Sequence, residues 1–123
     1  MSAALESFST RALATDVSVV YGRKTSVKGV GYFFPRPSLG SACKRLNLFL
    51  RWMVRTDAID MGVWTRVSPS RLVVPLDTHV IRLGKCLRLT RYASPGWKMA
   101  SEITAALRGF DQTDPIRYDF SLC

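Results

Sequence analysis

The chain has 123 residues, enough for one hydrophobic core and one domain. Its 47% apolar content excludes a disordered chain, and no apolar run nears the roughly 18 residues of a membrane span. Eighteen Lys+Arg against nine Asp+Glu leave a net charge of +9, a field that draws polyanions, most commonly nucleic acid. The competing reading is a basic protein with no such partner.

Residues 3–14 carry Leu5, Phe8 and Leu13 roughly on one side and predict a short helix. Glu6, Arg11 and Asp16 interrupt residues 1–20, so the apolar region of a signal peptide is missing and a cytoplasmic location is the default expectation. Residues 17–34 admit two readings. Val17, Val19 and Tyr21, then Gly22-Arg23-Lys24, then Val27, Val30 and Phe33 fit a hairpin around a glycine turn, or an irregular connection. Gly29-Val30-Gly31 is too short for a phosphate-binding motif. Pro35, Pro37 and Gly40 mark a break.

Residues 41–55 predict the clearest helix. Ala42, Leu46, Phe49, Leu50, Met53 and Val54 recur at the 3.6 period, with Ser41 placed to cap the N-terminus. Lys44, Arg45, Arg51 and Arg55 fall on or beside its polar side. Residues 56–75 read as a long connection, with a turn of helix at 58–64 and breaks at Pro69 and Pro75. Asp77 stands at an N-cap position ahead of a helix at 78–88 with Val80, Leu83 and Leu87 inward. Ser94-Pro95 signals a further helix running to Arg108 and burying Ala100, Ile103 and Leu107. Asp114-Pro115 repeats that signal, with Ile116, Tyr118 and Phe120 in a last helix of about two turns, short against the usual three. That shortness suggests a piece of something longer.

The fold class expected is therefore all-α, with four or five helices and one irregular or hairpin-like segment. An N-terminal region spans residues 1–40 and a helical region 41–123. Cys43, Cys86 and Cys123 are odd in number and far apart, and the single histidine, His79, cannot complete a zinc site. Reduced thiols are expected, Cys43 and Cys86 as small core residues, with no metal and no cofactor.

The run Gly40-Ser41-Ala42-Cys43-Lys44-Arg45-Leu46-Asn47-Leu48-Phe49-Leu50-Arg51-Trp52-Met53-Val54-Arg55, with Pro75-Leu76-Asp77-Thr78-His79-Val80, Trp97-Lys98 and Asp114-Pro115-Ile116-Arg117-Tyr118-Asp119-Phe120, resembles a largely bacterial family of uncharacterised proteins. The likeness covers roughly residues 30 to 123, and members of that family are longer at both ends. More distantly, the same segment is similar to the helix-hairpin-helix DNA glycosylases. Those enzymes grip DNA phosphates through the amides of a glycine-rich hairpin, followed by a catalytic lysine and then a Val-Asp-Thr-His segment with a catalytic aspartate. On that resemblance Gly40 matches the first hairpin glycine, Lys44 the lysine, Asn47 an asparagine one turn later, and Asp77-Thr78-His79 the aspartate segment. Three departures stand against it. The hairpin reads Gly-Ser-Ala-Cys rather than Gly-Val-Gly-Arg, the interval from Lys44 to Asp77 is longer, and the four-cysteine cluster of many such enzymes has no counterpart.

The resemblance implies a DNA-binding domain, with N-glycosidic bond cleavage and strand nicking as its chemistry. Asp77 would stabilise the positively charged sugar, and Lys44 would attack the sugar carbon to give a Schiff base. Gly40, Ser41, Lys44, Arg45, Arg51 and Arg55 would hold the backbone. Plainer readings stand beside these: Asp77 as a helix cap, Lys44 as a solvated lysine, the arginines as a solvated face, His79 and the tryptophans as structural. Two other functions compete with the enzyme: a non-enzymatic nucleic-acid-binding module, and a structural or protein-interaction domain.

Overall fold

The computed structural model describes residues 1–22 and 27–122. Among them are six α-helices: α1 (Ser2–Ala14), α2 (Ser18–Tyr21), α3 (Val27–Phe33), α4 (Lys44–Val54), α5 (Thr78–Cys86) and α6 (Trp97–Arg108). The described residues contain no strand, only an isolated antiparallel bridge between Thr56 and Met61, so the fold is all-α as expected. No described helix is long and apolar enough to cross a membrane.

Helix α1 buries Leu5 and Ser9 and is fastened to the proline-rich turn that follows α3. Ser9 Oγ donates to the Pro35 carbonyl at 2.8 Å. The Glu6 carboxylate accepts from Ser38 N–H at 3.1 Å and from its hydroxyl at 2.8 Å. Where a hairpin was one expectation, its flanks are helical. Asp16 accepts from Ser18 N–H at 2.9 Å, and Gly22, at φ 65°, returns its N–H to the Ser18 carbonyl at 2.7 Å. These local bonds close a helical turn, whereas a lone two-stranded ribbon has no sheet face to bury. Val19 and Val20 remain exposed. The remaining turn residues, Arg23 and Lys24, lie outside the described residues.

Helix α4 begins at Lys44 rather than at Ser41. The Ser41 hydroxyl accepts from Cys43 N–H at 3.1 Å, so it caps the preceding turn instead of the helix. Cys43 itself adopts φ 50°. The connection after α4 holds no helical turn at 58–64; the chain instead forms a 3-10 turn at Pro69–Arg71 and then plunges into the core. Residues 72–76, expected to be plain connection, are all buried. Leu72, Val74 and Leu76 pack with Val54, Val80, Met99, Ile103, Leu107, Ile116 and Leu122. This irregular stretch needs partners for its backbone. Thr104 supplies one: its Oγ1 accepts from Val74 N–H at 3.0 Å and donates to the Ala100 carbonyl at 2.7 Å.

Asp77 caps α5 as expected, its carboxylate accepting from Val80 N–H at 2.8 Å. Val80 is buried, but Leu87 and Cys86 are exposed, against the expectation that both face inward. Helical spacing puts Cys86 opposite the buried Val80 and Gly84, and Leu87 follows the end of the helix, where Arg88 turns the chain at φ 56°. Gly84 lets α5 press on α6: a Cβ there would sit 2.7 Å from Ile103 Cδ1. Helix α6 starts after Gly96, not at Ser94-Pro95. Gly40 decides this, since its carbonyl accepts from Trp97 N–H at 3.2 Å and a Cβ on Gly96 would meet that same oxygen at 2.7 Å. The face of α6 that buries Ala100, Ile103 and Leu107 is as expected, with Met99 and Thr104 added.

The terminal segment after Asp114-Pro115 is a series of turns ending in a 3-10 turn at Phe120–Leu122, not an α-helix. The Asp114 carboxylate does not cap it because Arg55 holds that group. Ile116 and Leu122 are nonetheless buried, as apolar anchors of the segment.

Thr104→Val keeps the side-chain shape but leaves Val74 N–H buried without an acceptor. Urea unfolding is expected to show a loss of about 1–3 kcal/mol; an unchanged midpoint would mean that Thr104 does not secure the 72–76 segment.

Candidate functional site

The first turn of α4 forms one wall of an open groove of about 700 Å³, with Gly31, Tyr32, Ser41, Lys44, Arg45 and Leu48 among its lining. Lys44 and Arg45 are exposed. The residue before the helix, Cys43, offers no side-chain cap, so the first-turn amides have no side-chain acceptor of the usual kind. Arg45 lies over the Tyr32 ring, 4.3 Å from its centroid, and donates to the Tyr32 hydroxyl. Behind this wall Asn47 is buried and its Nδ2 donates to the Ala42 carbonyl at 3.0 Å, which ties the helix to its entry turn. Burial pushes the Cys43 thiol up from its ordinary range, so this cysteine packs rather than reacts.

Gly40 sits in the left-handed region at φ 82°, where glycine is favoured. Both of its backbone polar groups are used internally: its N–H donates to the Pro37 carbonyl at 2.9 Å, and its carbonyl accepts from Trp97. Among the expected backbone-holding residues, then, Ser41, Lys44 and Arg45 share one groove, and Gly40 shapes the turn beside it. Asp77 is half-buried at the start of α5 and does not line that groove; His79 is exposed on the same helix.

Arg51 and Arg55 occupy a different environment. Helical periodicity assigns both to the polar side; both are buried, at 3% and 7% exposure. Arg51 lies 3.2 Å from Asp60 through Nε and 2.9 Å from Asp119 through Nη1. Arg55 directs Nε at both oxygens of Asp114, at 3.0 and 2.9 Å, and Nη1 at Asp57, at 2.8 Å, and at Asp60. The Arg51 guanidinium also covers the Phe120 ring at 4.1 Å. A buried guanidinium must be paired, and this pairing leaves neither arginine facing solvent for a phosphate. The sequence does contain a trace of it: two arginines four residues apart share one helix face, with Asp57 and Asp60 directly downstream.

Burial pushes the Asp60 and Asp119 carboxyls up, against the pull of Arg51 and Arg55. Asp57 moves the other way. It accepts N–H groups from Asp60 and Ile59 at 2.8 Å each, and with Arg55 beside it its pKa falls to about 2. Asp111 is held well below the usual carboxylate range by Thr113, the Asp114 N–H and Arg117.

Removing this cluster's two arginines and four aspartates from the 18 basic and 9 acidic residues leaves 16 basic against 5 acidic. The charge outside the cluster is therefore more one-sided than the composition implies. Exposed Arg82, Lys85 and Arg88 follow one another at three-residue steps along and just beyond α5.

Across residues 1–123 the chain matches the family model described as Protein of unknown function (DUF2400). No curated protein and no solved structure matches it.

Truncating Arg55 to alanine removes the guanidinium that holds Asp114 and leaves the buried Asp60 with Arg51 alone. The expected destabilisation is about 3–5 kcal/mol in chemical denaturation, and a change within the range of a surface mutation would show that the cluster is not a stabilising tie. Asp57 also sets a pH dependence. Its folded-state value of about 2 lies below the ordinary 3.8, so it contributes stability above 3.8 that is lost as pH falls towards 2. The raised groups Asp60 and Asp119 act oppositely, since the folded state binds their protons more readily. Asp57→Asn is expected to lower the melting temperature at neutral pH and to remove part of its fall on acidification through that window; identical pH profiles for the two proteins would overturn this.

Proposed function

The chain belongs to the DUF2400 family, and we propose that it is a helical nucleic-acid-binding domain that holds a phosphate at the first turn of α4. One observation carries this reading: Lys44 and Arg45 stand exposed beside a helix N-terminus without a side-chain cap, in a groove with no carboxylate among the described residues of its lining. A helix start presents amide hydrogens and the positive end of its dipole, and adjacent cations complete an anion site. The positive excess outside the buried cluster supplies long-range attraction to a polyanion. The sequence likeness to helix-hairpin-helix DNA glycosylases points to the same turn and names DNA as the polymer.

That likeness also supports an enzymatic extension, in which the domain breaks an N-glycosidic bond. Asp77 is its carboxylate, and Lys44 its amine, condensing with the abasic-site aldehyde to an imine with loss of water. Such chemistry requires both groups at one reacting centre. Because Asp77 is not in the lining of the Lys44 groove, the binding function is the better supported of the two.

Fluorescence anisotropy with labelled duplex DNA across a salt series tests the binding reading. Affinity should fall linearly on a log–log plot, and Lys44→Ala should reduce the slope by about 0.9 for each phosphate it no longer neutralises. Binding that ignores salt would exclude phosphate recognition and leave a protein-interaction domain. Borohydride trapping on abasic DNA tests the extension. A covalent adduct that Lys44→Ala abolishes would establish lyase chemistry, while its absence alongside salt-sensitive binding would remove Lys44 as nucleophile. Turnover lost in Asp77→Asn with affinity intact would identify Asp77 as the carboxylate.

A further inference from the structure

We infer that the groove beside the first turn of α4 takes an unpaired nucleobase, stacked on the Tyr32–Arg45 pair. The inference rests on the nucleic-acid reading and narrows it from phosphate recognition to recognition of an opened or single strand. Tyr32 and Phe33 end α3 with 62% of each residue exposed. Large aromatics left this open forgo the burial that normally stabilises them. Their rings are nevertheless ordered against one another, edge to face at 5.6 Å. Tyr32 is fixed again from the other helix, with the Arg45 guanidinium 4.3 Å over its ring and bonded to its hydroxyl. The result is a preformed pair, an exposed aromatic ring with a guanidinium held against its hydroxyl edge. Both are surfaces on which a base stacks.

The surroundings select the ligand. The charged side chains among the described residues lining the groove are Lys44 and Arg45, both cations, and Ser41 adds a hydroxyl. A ligand that is flat where it meets Tyr32 and anionic where it meets Lys44 has the chemistry of a nucleotide. A base within a duplex has both faces covered by its neighbours, so only an unpaired base can reach the ring while its phosphate meets Lys44.

The test compares three labelled probes by anisotropy at low salt: an oligothymidylate, an oligomer of equal length with abasic spacers throughout, and a DNA duplex. The wild-type chain should bind the oligothymidylate about tenfold or more tightly than the abasic oligomer, the range expected of base–aromatic stacking. Tyr32→Ala should erase that difference, Tyr32→Phe should keep it because the ring remains, and Lys44→Ala should weaken binding to all three. Equal binding of the oligothymidylate and the abasic oligomer would overturn the stacking inference and leave the phosphate reading intact. So would a preference that survives in Tyr32→Ala, or one lost equally in Tyr32→Phe. Failure of the wild-type chain to bind any of the three would overturn both.

Discussion

The ion cluster of Arg51 and Arg55 is the constraint on which the rest of this structure depends. Two guanidiniums one turn apart at the end of α4 gather four carboxylates from two separate parts of the chain, Asp57 and Asp60 just downstream and Asp114 and Asp119 near the C-terminus. A buried charge without a partner is prohibitively costly, so each element must be in place for the others to be tolerated. The cluster therefore fastens the C-terminal turns to α4. These turns lack the hydrogen-bond ladder of a helix, and Ile116 and Leu122 anchor them into the core.

The two ends of α4 consequently do different work with the same residue types. At the C-terminal end the arginines are enclosed and structural. At the N-terminal end Lys44 and Arg45 are open to solvent, next to a groove and to exposed aromatic rings. What fixes that end is a second, smaller set of contacts: Asn47 bonded to Ala42, and the Gly40 carbonyl bonded to the start of α6. A helix held rigidly at one end and presented at the other suits a surface that must keep its cations in place without burying them.

Much of the helical framework is legible in the sequence because its signals are local. The apolar spacing of α1, α4 and α6 and the cap at Asp77 depend on residues three or four apart; the three helices and the cap are present, with shifted starts for α4 and α6, while Phe8 and Phe49 of the expected apolar faces are exposed. The shifts have tertiary causes. Ser41 turns its hydroxyl to Cys43 N–H instead of to the helix, while Gly96 begins α6 where Gly40 approaches it. The 17–34 region misleads for the opposite reason. β-Branched residues favour strands only where a sheet face buries them, and the described residues form no sheet. The burial of 72–76 is hidden by its flanking prolines, which look like loop punctuation although the apolar run Leu72-Val73-Val74 is continuous. Of the candidate residues, Ser41, Lys44 and Arg45 are near one another in the sequence and line one groove. Only Asp57 and Asp60, directly downstream of Arg51 and Arg55, set those two arginines apart in the sequence, since a helix periodicity assigns cations to a polar side. It cannot see a carboxylate such as Asp114, which reaches Arg55 from 59 residues further along the chain.

The sequence by itself determined an all-α domain with a strong positive excess, and it marked the basic stretch at residues 40–45 and the helix-capping aspartate at 77. Those properties follow from composition and from short-range spacing, which no tertiary arrangement alters. Tertiary structure alone decided which cations remain available, where the irregular 72–76 segment runs, and that Tyr32 meets Arg45 across a groove. Each of these depends on contacts between residues well separated in the chain, and such contacts are chosen by how buried charge and buried backbone can be satisfied together.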